Sequence, residues 1–226
     1  MKILYLETSS KNCSVAISDG EKMLCVCEEV SENYKQSESL HTFVEWALEG
    51  AEISLKDIEA VSLGKGPGSY TGLRIGAASA KGFCYGLKIP LVAVNSMESM
   101  IQPFLLQNYD LIISLIDARR MEVYTAVYDG NTGKELIPTE AKVLDETSFQ
   151  EFKDKKVLFV GDGAAKAKDI LDLPNAEFKT NIYPSAQYLV KKTLEKIQNK
   201  DFEDIAYFEP FYLKEFHGIK KKKSED

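Results

Sequence analysis

Five glycines and a proline crowd into Gly64-Lys65-Gly66-Pro67-Gly68-Ser69-Tyr70-Thr71-Gly72-Leu73-Arg74-Ile75-Gly76, the stretch best suited to chemistry. A glycine-rich turn feeding a helix leaves N–H groups unpaired and aligned with the positive end of the helix dipole, so Gly66, Gly68 and Ser69 could cradle an anion. The named phosphate loops do not fit. Gly64-Lys65 is followed by Gly66, where a Walker A loop needs Ser or Thr. The dinucleotide fingerprint fails at Ser69 or at Thr71, depending on where it is started. The backbone must still approach something closely here: a phosphate, the sheet, or another protein.

Carboxylates are the second candidate. Glu7 ends an apolar run and Asp117 ends a similar run later in the chain. Across a cleft the two could hold magnesium and a nucleotide; as polar residues at strand ends they need no ligand. Arg74 sits early in the helix after the Gly-rich turn, where a cation opposes the dipole, so an acid on a neighbouring element or a partner is expected to answer it. The two histidines, His41 and His217, stand in no His-x-x-x-His or Cys-His pattern, and no Gly-x-Ser-x-Gly occurs. That pattern argues against a protein-built zinc or iron site and against a hydrolase triad. Cys13, Cys25, Cys27 and Cys84 lack Cys-x-x-Cys spacing and read as small apolar residues of a reduced, cytoplasmic protein, with Cys25 and Cys27 on one face of a strand.

The elements that must position these groups follow from periodicity. Ile3–Leu6 and residues 14–18 are apolar strands around a polar turn, and a third strand spans Met23–Val30 after Asp19-Gly20. Leu40, Phe43, Val44, Ala47 and Leu48 make one stripe of a helix over 37–50, with Gly50 as its C-cap. Ser54 to Asp57 has capping-box spacing before a strand over 58–63. The helix over 70–85 carries Gly72, Gly76 and Ala80 at intervals of four, each glycine costing roughly 1 kcal/mol relative to alanine. Close approach of another helix, or of the chain's own sheet, would compensate. A strand at residues 89–94 returns from it, and Asn95 caps a helix to about Leu106.

The pattern then restarts: an apolar strand to Asp117, a turn, an alternating strand over 122–128 and Asp129-Gly130. A third strand over 134–144, a buried one over 156–160 and a helix opening at Pro184-Ser185 complete it. Internal duplication of an α/β unit is the simplest reading. With 28 basic against 35 acidic residues and a net charge of -7, free-standing nucleic-acid binding is not expected, and the one basic block, Lys220 to Lys223, reads as a solvated tail. The N-terminal apolar run is too short for a signal segment, and no run of about 20 apolar residues exists.

A duplicated strand-turn-strand lobe resembles the actin, hexokinase and Hsp70 ATPase (ribonuclease H-like) superfamily, with a shortened second lobe. Within it, residues 66–76 with Ala80-Lys81-Gly82, Asp117-Ala118-Arg119-Arg120 with Glu122-Val123-Tyr124, and Glu209-Pro210-Phe211-Tyr212-Leu213 are similar to stretches of the TsaB (YeaZ) family. The resemblance implies an N-terminal lobe over 1–105, a C-terminal lobe over 106–214 and a basic tail over 215–226. It implies a non-catalytic subunit that supports TsaD, the catalytic paralogue, in placing threonylcarbamoyl on N6 of adenosine 37 of tRNAs reading codons that begin with A. The implied partners are TsaD, the small ATPase TsaE, a second copy of the chain when TsaD is absent, and tRNA through the complex. No cofactor is expected on this chain alone, with ATP or ADP at a subunit boundary left open. Tyr70, Gly72, Leu73, Arg74, Gly76 and Ala80 are expected to face the partner. Two positions depart from the family pattern: Glu7, where Asp is common, and Gln36-Ser37-Glu38, where His-Ser-Glu is common. The alternative is a free-standing ATP-binding kinase or ATPase, or a peptidase-like enzyme, using Glu7 and Asp117.

Overall fold

The strand-turn-strand unit that opens each half of the sequence is a hairpin in the computed structural model, which describes residues 1–31 and 36–214. In the first half β1 (Lys2–Glu7) pairs antiparallel with β2 (Asn12–Asp19), and β2 with β3 (Lys22–Val30). Helix α1 (Gln36–Gly50) and a 3-10 turn at Leu55–Asp57 lead to β4 (Ala60–Gly64), which lies parallel to β1. Helix α2 (Tyr70–Leu87) then crosses to β5 (Leu91–Val94), parallel to β4, and α3 (Ser96–Ile101) leaves the sheet. The second half repeats the plan. β6 (Leu111–Asp117), β7 (Glu122–Asp129) and β8 (Glu135–Val143) form the antiparallel part, while β9 (Val157–Val160) and β10 (Ala176–Lys179) extend it in parallel around α4 (Ala164–Ile170). The sheet orders β3-β2-β1-β4-β5 and β8-β7-β6-β9-β10 are the same, so the expected architecture of two related α/β lobes is the one observed.

Alternation along each strand decides which layer covers it. On the first sheet, Leu4, Leu6, Val15, Ile17, Val61 and Leu63 pack under α1 and α2. Ile3, Tyr5, Ala16, Val92 and Val94 face the other way, onto Ala186 and Leu189 of the 3-10 turn that leads into α5 (Val190–Gln198). On the second sheet, Ile113, Leu115, Val123 and Phe159 face α4, while Ile112, Ile116, Ala126 and Leu158 face Met97, Met100 and Ile101 of α3. The inner helices are thus exchanged: α3, from the first half, covers the second sheet, and the segment from Ala186 covers the first. Within the lobe expected over 106–214, the apolar faces of Ala186, Leu189 and α5 are thus matched by the first sheet.

Smaller corrections have local causes. Gly50 is not a C-cap. It is the last residue of α1, where a Cβ would stand 2.7 Å from Cys25 Sγ, and Glu52 takes the left-handed conformation (φ 55°) instead. The helix after Asn95 stops at Ile101 because Pro103 follows, and a 3-10 turn continues to Phe104. The expected helix at Pro184-Ser185 begins as that 3-10 turn and becomes α-helical from Val190. Helix α4 and strand β10 were not foreseen, being too short to show a period. Among the described residues no helix is long and apolar enough to cross a membrane. The basic run Lys220–Lys223, and the tail over 215–226, lie outside the described residues.

Candidate functional site

The Gly-rich turn is built into the sheet. Gly64 leaves room for the carboxylate of Glu7, which a Cβ there would overlap. Glu7 has 0% exposure. Its Oε1 accepts the Ser9 N–H at 2.8 Å and its Oε2 accepts the Ser96 hydroxyl at 2.8 Å. Burial pushes its carboxyl above the ordinary range, the hydrogen bonds from Ser9 and Ser96 pulling the other way. Ser96 Oγ in turn accepts the Gly66 N–H at 3.1 Å, and the Ser96 N–H returns to the Gly66 carbonyl at 3.0 Å. Gly66 itself has φ +97°, a conformation that a side chain would strain.

Two expectations fall on this geometry. The anion cradle at Gly66, Gly68 and Ser69 is not formed: the Gly66 N–H goes to Ser96, and the Ser69 N–H to the Ser9 carbonyl at 2.6 Å. Gly68 is a glycine because a Cβ would overlap that same carbonyl. Nor do Glu7 and Asp117 face each other across a cleft. Glu7 turns inward against Gly64, whereas Asp117 lies at the mouth of an interlobe cavity, its Oδ1 taking the Arg119 N–H at 2.6 Å and the Lys166 ammonium at 2.6 Å. Asp162 is the second cavity acid. It accepts the Asp117 N–H at 2.9 Å, and burial holds its carboxyl above the ordinary range.

The small-residue stripe of α2 is likewise an internal contact. A Cβ on Gly72 would overlap the Thr8 carbonyl, and one on Gly76 the Thr8 hydroxyl, with Leu63 Cδ1 3.1 Å away. Thr8 Oγ1 donates to the Gly72 carbonyl at 2.8 Å, so the Thr8 side chain ties the turn after β1 to the backbone of the first turn of α2. Leu73 and Ala80 are buried as well. Gly72, Leu73, Gly76 and Ala80, expected at a partner, therefore face the chain's own sheet and first turn. Their burial is what lets α2 lie close to β1 and β4.

What α2 shows outward is a different line: Arg74, Ala78, Gly82, Tyr85 and Gly86 are exposed. A Cβ on Gly82 or Gly86 would meet nothing within 4 Å, so no internal packing compensates for these two glycines. Tyr85 is 82% exposed, and Trp46 on α1 55%. His41 Nε2 and Ser79 Oγ, 3.1 Å apart, join α1 to α2, and Lys81 Nζ donates to the Ala206 carbonyl on the other flank at 3.4 Å. The firmly held helix pair thus exposes one large aromatic on each helix, and on α2 Tyr85 adjoins glycines over which a neighbour can approach closely. At its N-terminal end the Arg74 guanidinium lies 5.5 Å from the centroid of the Tyr70 ring, and Tyr70 packs on Tyr212 at 5.1 Å. A ring face therefore meets Arg74 where an acid was expected.

The cavity, about 810 Å³, lies between the lobes behind Tyr70. Lys11 comes from the first hairpin turn, Asp117 to Arg119 from the second, and Phe211 to Lys214 from a C-terminal strap. The strap is tied at both ends: Phe211 N–H donates to the Lys65 carbonyl at 2.8 Å, and Lys214 pairs with Glu122 of β7. Lys11, Asn181 and Tyr183 were not singled out from the sequence, because polar and aromatic residues in separate turns leave no spacing that ties them to one cavity. Among the described residues no group of three or more His, Cys, Asp or Glu is placed to hold a metal ion.

Residues 26–217 match the family model described as "TsaD: tRNA N6-adenosine threonylcarbamoyltransferase". The tRNA threonylcarbamoyladenosine biosynthesis protein TsaB of Bacillus subtilis (strain 168) is 30% identical over 178 residues, 76% of each chain. Its namesake from Haemophilus influenzae is 24% identical over 95% of this chain and 94% of the relative. Among solved structures, YeaZ from Pseudomonas aeruginosa superposes with a TM-score of 0.78 at 23% identity, covering 94% of this chain and 99% of the other. A second Pseudomonas aeruginosa structure, of an uncharacterized protein with similarity to peptidase YEAZ, reaches 0.81 at 24% identity with the same coverage.

Proposed function

The chain belongs to the TsaB (YeaZ) family, and from that premise we propose that it serves threonylcarbamoyladenosine synthesis in tRNA as a docking subunit for the threonylcarbamoyltransferase, TsaD. The observation that carries this is the outward face of α1 and α2. Trp46 and Tyr85 are large apolar groups left in solvent, and Gly82 and Gly86 weaken a helix that would be steadier with alanine. A specific interface buries on the order of 1,600 Å² in total, which two helices on each side supply. In the absence of TsaD the same face pairs two copies of the chain, and the small ATPase TsaE joins the assembled pair.

The reading as a free-standing kinase, ATPase or peptidase is the weaker one. It needs Glu7 and Asp117 on one ligand, and Glu7 is sealed under Gly64 with its oxygens taken by Ser9 and Ser96. Reconstitution tests the proposal. The chain, TsaD and the remaining pathway proteins are mixed with unmodified tRNA, and the modified nucleoside is counted by mass spectrometry. Omitting the chain is expected to remove most of the product. Undiminished product without the chain, or micromolar ATP-magnesium binding by the isolated chain that Asp117→Ala abolishes, would overturn it.

A further inference from the structure

The turn that precedes the strap gives α2 a second flank. Asp204 Oδ1 accepts the Ala206 N–H at 2.8 Å and the Tyr207 N–H at 3.3 Å, and the Phe208 N–H returns to the Asp204 carbonyl at 2.8 Å. Phe208 is buried in the core beneath α1 and α2, with Ile205 packed against it. Lys81 of α2 donates to the Ala206 carbonyl and lies 5.9 Å from the centroid of the Phe208 ring. The turn is thus pinned on both sides of Tyr207, whose side chain is left 85% exposed. Tyr85 stands one helical turn beyond Lys81, on the same flank of α2. An aromatic held in solvent by a fixed backbone loses little freedom when a partner covers it, which is the character of an interface anchor.

Tyr207 also lines a groove of about 760 Å³, walled by α5, by the turn and by β5, the edge strand of the first sheet. Six carboxylates face three lysines there. Two of the lysines are committed within the fold: Lys192 pairs with Glu98 and Glu195 at 3.0 Å each, and Lys196 with Asp201 at 2.8 Å. Glu203, Asp204 and Glu209 then stand against Lys65, and among the described residues none of these three carboxylates is in an ion pair. Helix α1 adds the same sign, with Glu38, Glu45 and Glu49 exposed and no lysine or arginine along it. Such a surface is complementary to a basic element. We propose that the groove receives a lysine- or arginine-rich segment of the docked transferase, which crosses Tyr207 on its way from the α2 face. The docking surface is then three elements wide, α1, α2 and the 204–208 turn, and the partner's side of it is basic. This rests on α1 and α2 being the docking face. A small polyamine offers the same cationic chemistry, and the test separates it from a partner segment.

Titration calorimetry of the chain against TsaD is run across a salt series, with a thermal melt of each variant alone. Tyr207→Ala is expected to weaken binding about tenfold at unchanged Tm, because the side chain it removes stands in solvent. Glu203→Gln with Glu209→Gln is expected to weaken it about three- to fivefold at low salt and to converge on wild type at high salt. Glu140→Gln with Glu151→Gln, two exposed positions in the second half of the chain, changes the net charge equally and is expected to leave affinity unchanged. Wild-type affinity at every salt in both groove variants overturns the segment, and leaves the α1–α2 face standing where Tyr85→Ala still weakens binding. Equal losses in the two glutamine pairs also overturn it, since net charge alone then accounts for the effect. So does tight binding of spermidine by the isolated chain that Glu203→Gln with Glu209→Gln abolishes while TsaD affinity stays at wild type, which assigns the groove to a small cation. A wild-type chain that does not bind TsaD overturns the docking face, and the segment with it.

Discussion

Alanine at four glycines of α2 should move stability in opposite directions. In a helix interior, glycine to alanine is worth about 1 kcal/mol when the methyl meets nothing. Gly82 and Gly86 satisfy that condition, having no atom within 4 Å of an added Cβ. Together Gly82→Ala and Gly86→Ala are expected to contribute about 1.5 kcal/mol, or roughly 3–6 °C in Tm for a chain of this size. At Gly72 the methyl would run into the Thr8 carbonyl, which cannot withdraw freely because the next carbonyl, that of Ser9, accepts the Ser69 N–H at 2.6 Å. At Gly76 it displaces the Thr8 hydroxyl from its 2.8 Å bond to the Gly72 carbonyl. Overpacking of this kind costs about 1–3 kcal/mol and a lost hydrogen bond about 1 more, which outweighs the helix gain. Thermal and urea melts of the isolated chain read both effects. Four shifts of the same sign, or no gain at Gly82 and Gly86, would refute the division of α2 into an internal and an external glycine line.

Two further outcomes follow from carboxylates that accept several hydrogen bonds. A carboxyl held above its unfolded pKa binds more protons in the native state than in the unfolded one, so its share of stability is intact below the unfolded value of 4.5 and is lost as pH rises toward the folded pKa. Glu7→Gln keeps an acceptor for the Ser9 N–H and removes that loss, so its stability relative to wild type is expected to grow as pH rises above 4.5; a constant or shrinking difference in urea melts would count against the burial assigned to Glu7. Glu28 Oε2 accepts from Asn12 at 3.2 Å, Ser14 at 2.8 Å and Ser185 at 2.6 Å, tying the first hairpin to the returning C-terminal segment. Glu28→Ala should lower stability by about 2 kcal/mol, and a change under about 0.5 kcal/mol would show the clasp to be solvated.

Much of the fold was legible in the sequence, because strand alternation and the repeated strand-turn-strand unit register directly in the order of apolar residues. The exchange of α3 and α5 between sheets was not, since periodicity tells which face of Met97, Met100 or Leu189 is apolar but not which sheet receives it. The site divided in the same way. Gly72 and Gly76 announced a close approach, and the approach is real, yet a glycine has no side chain to say from which direction its neighbour comes. Gly82, one residue along from Lys81, carries the same letter with nothing near it, and only coordinates separate the two cases. Glu7 and Asp117 end matching strands, but Gly64 beside Glu7 draws one carboxylate inward, while Lys166 holds the other at the cavity mouth. Spacing along the chain could not anticipate either neighbour.

The outward face of α1 and α2 as the docking surface for TsaD is tested most directly by titration calorimetry of the two purified proteins, comparing wild type with Tyr85→Ala and Gly82→Leu. Both substitutions lie on exposed positions, so the melting temperature of the isolated chain should not fall, while truncating a central aromatic anchor or filling the close-approach glycine should weaken binding by about thirtyfold or more. Dissociation constants within twofold of wild type for both variants, with melting temperatures unchanged, would place the partner elsewhere on the molecule.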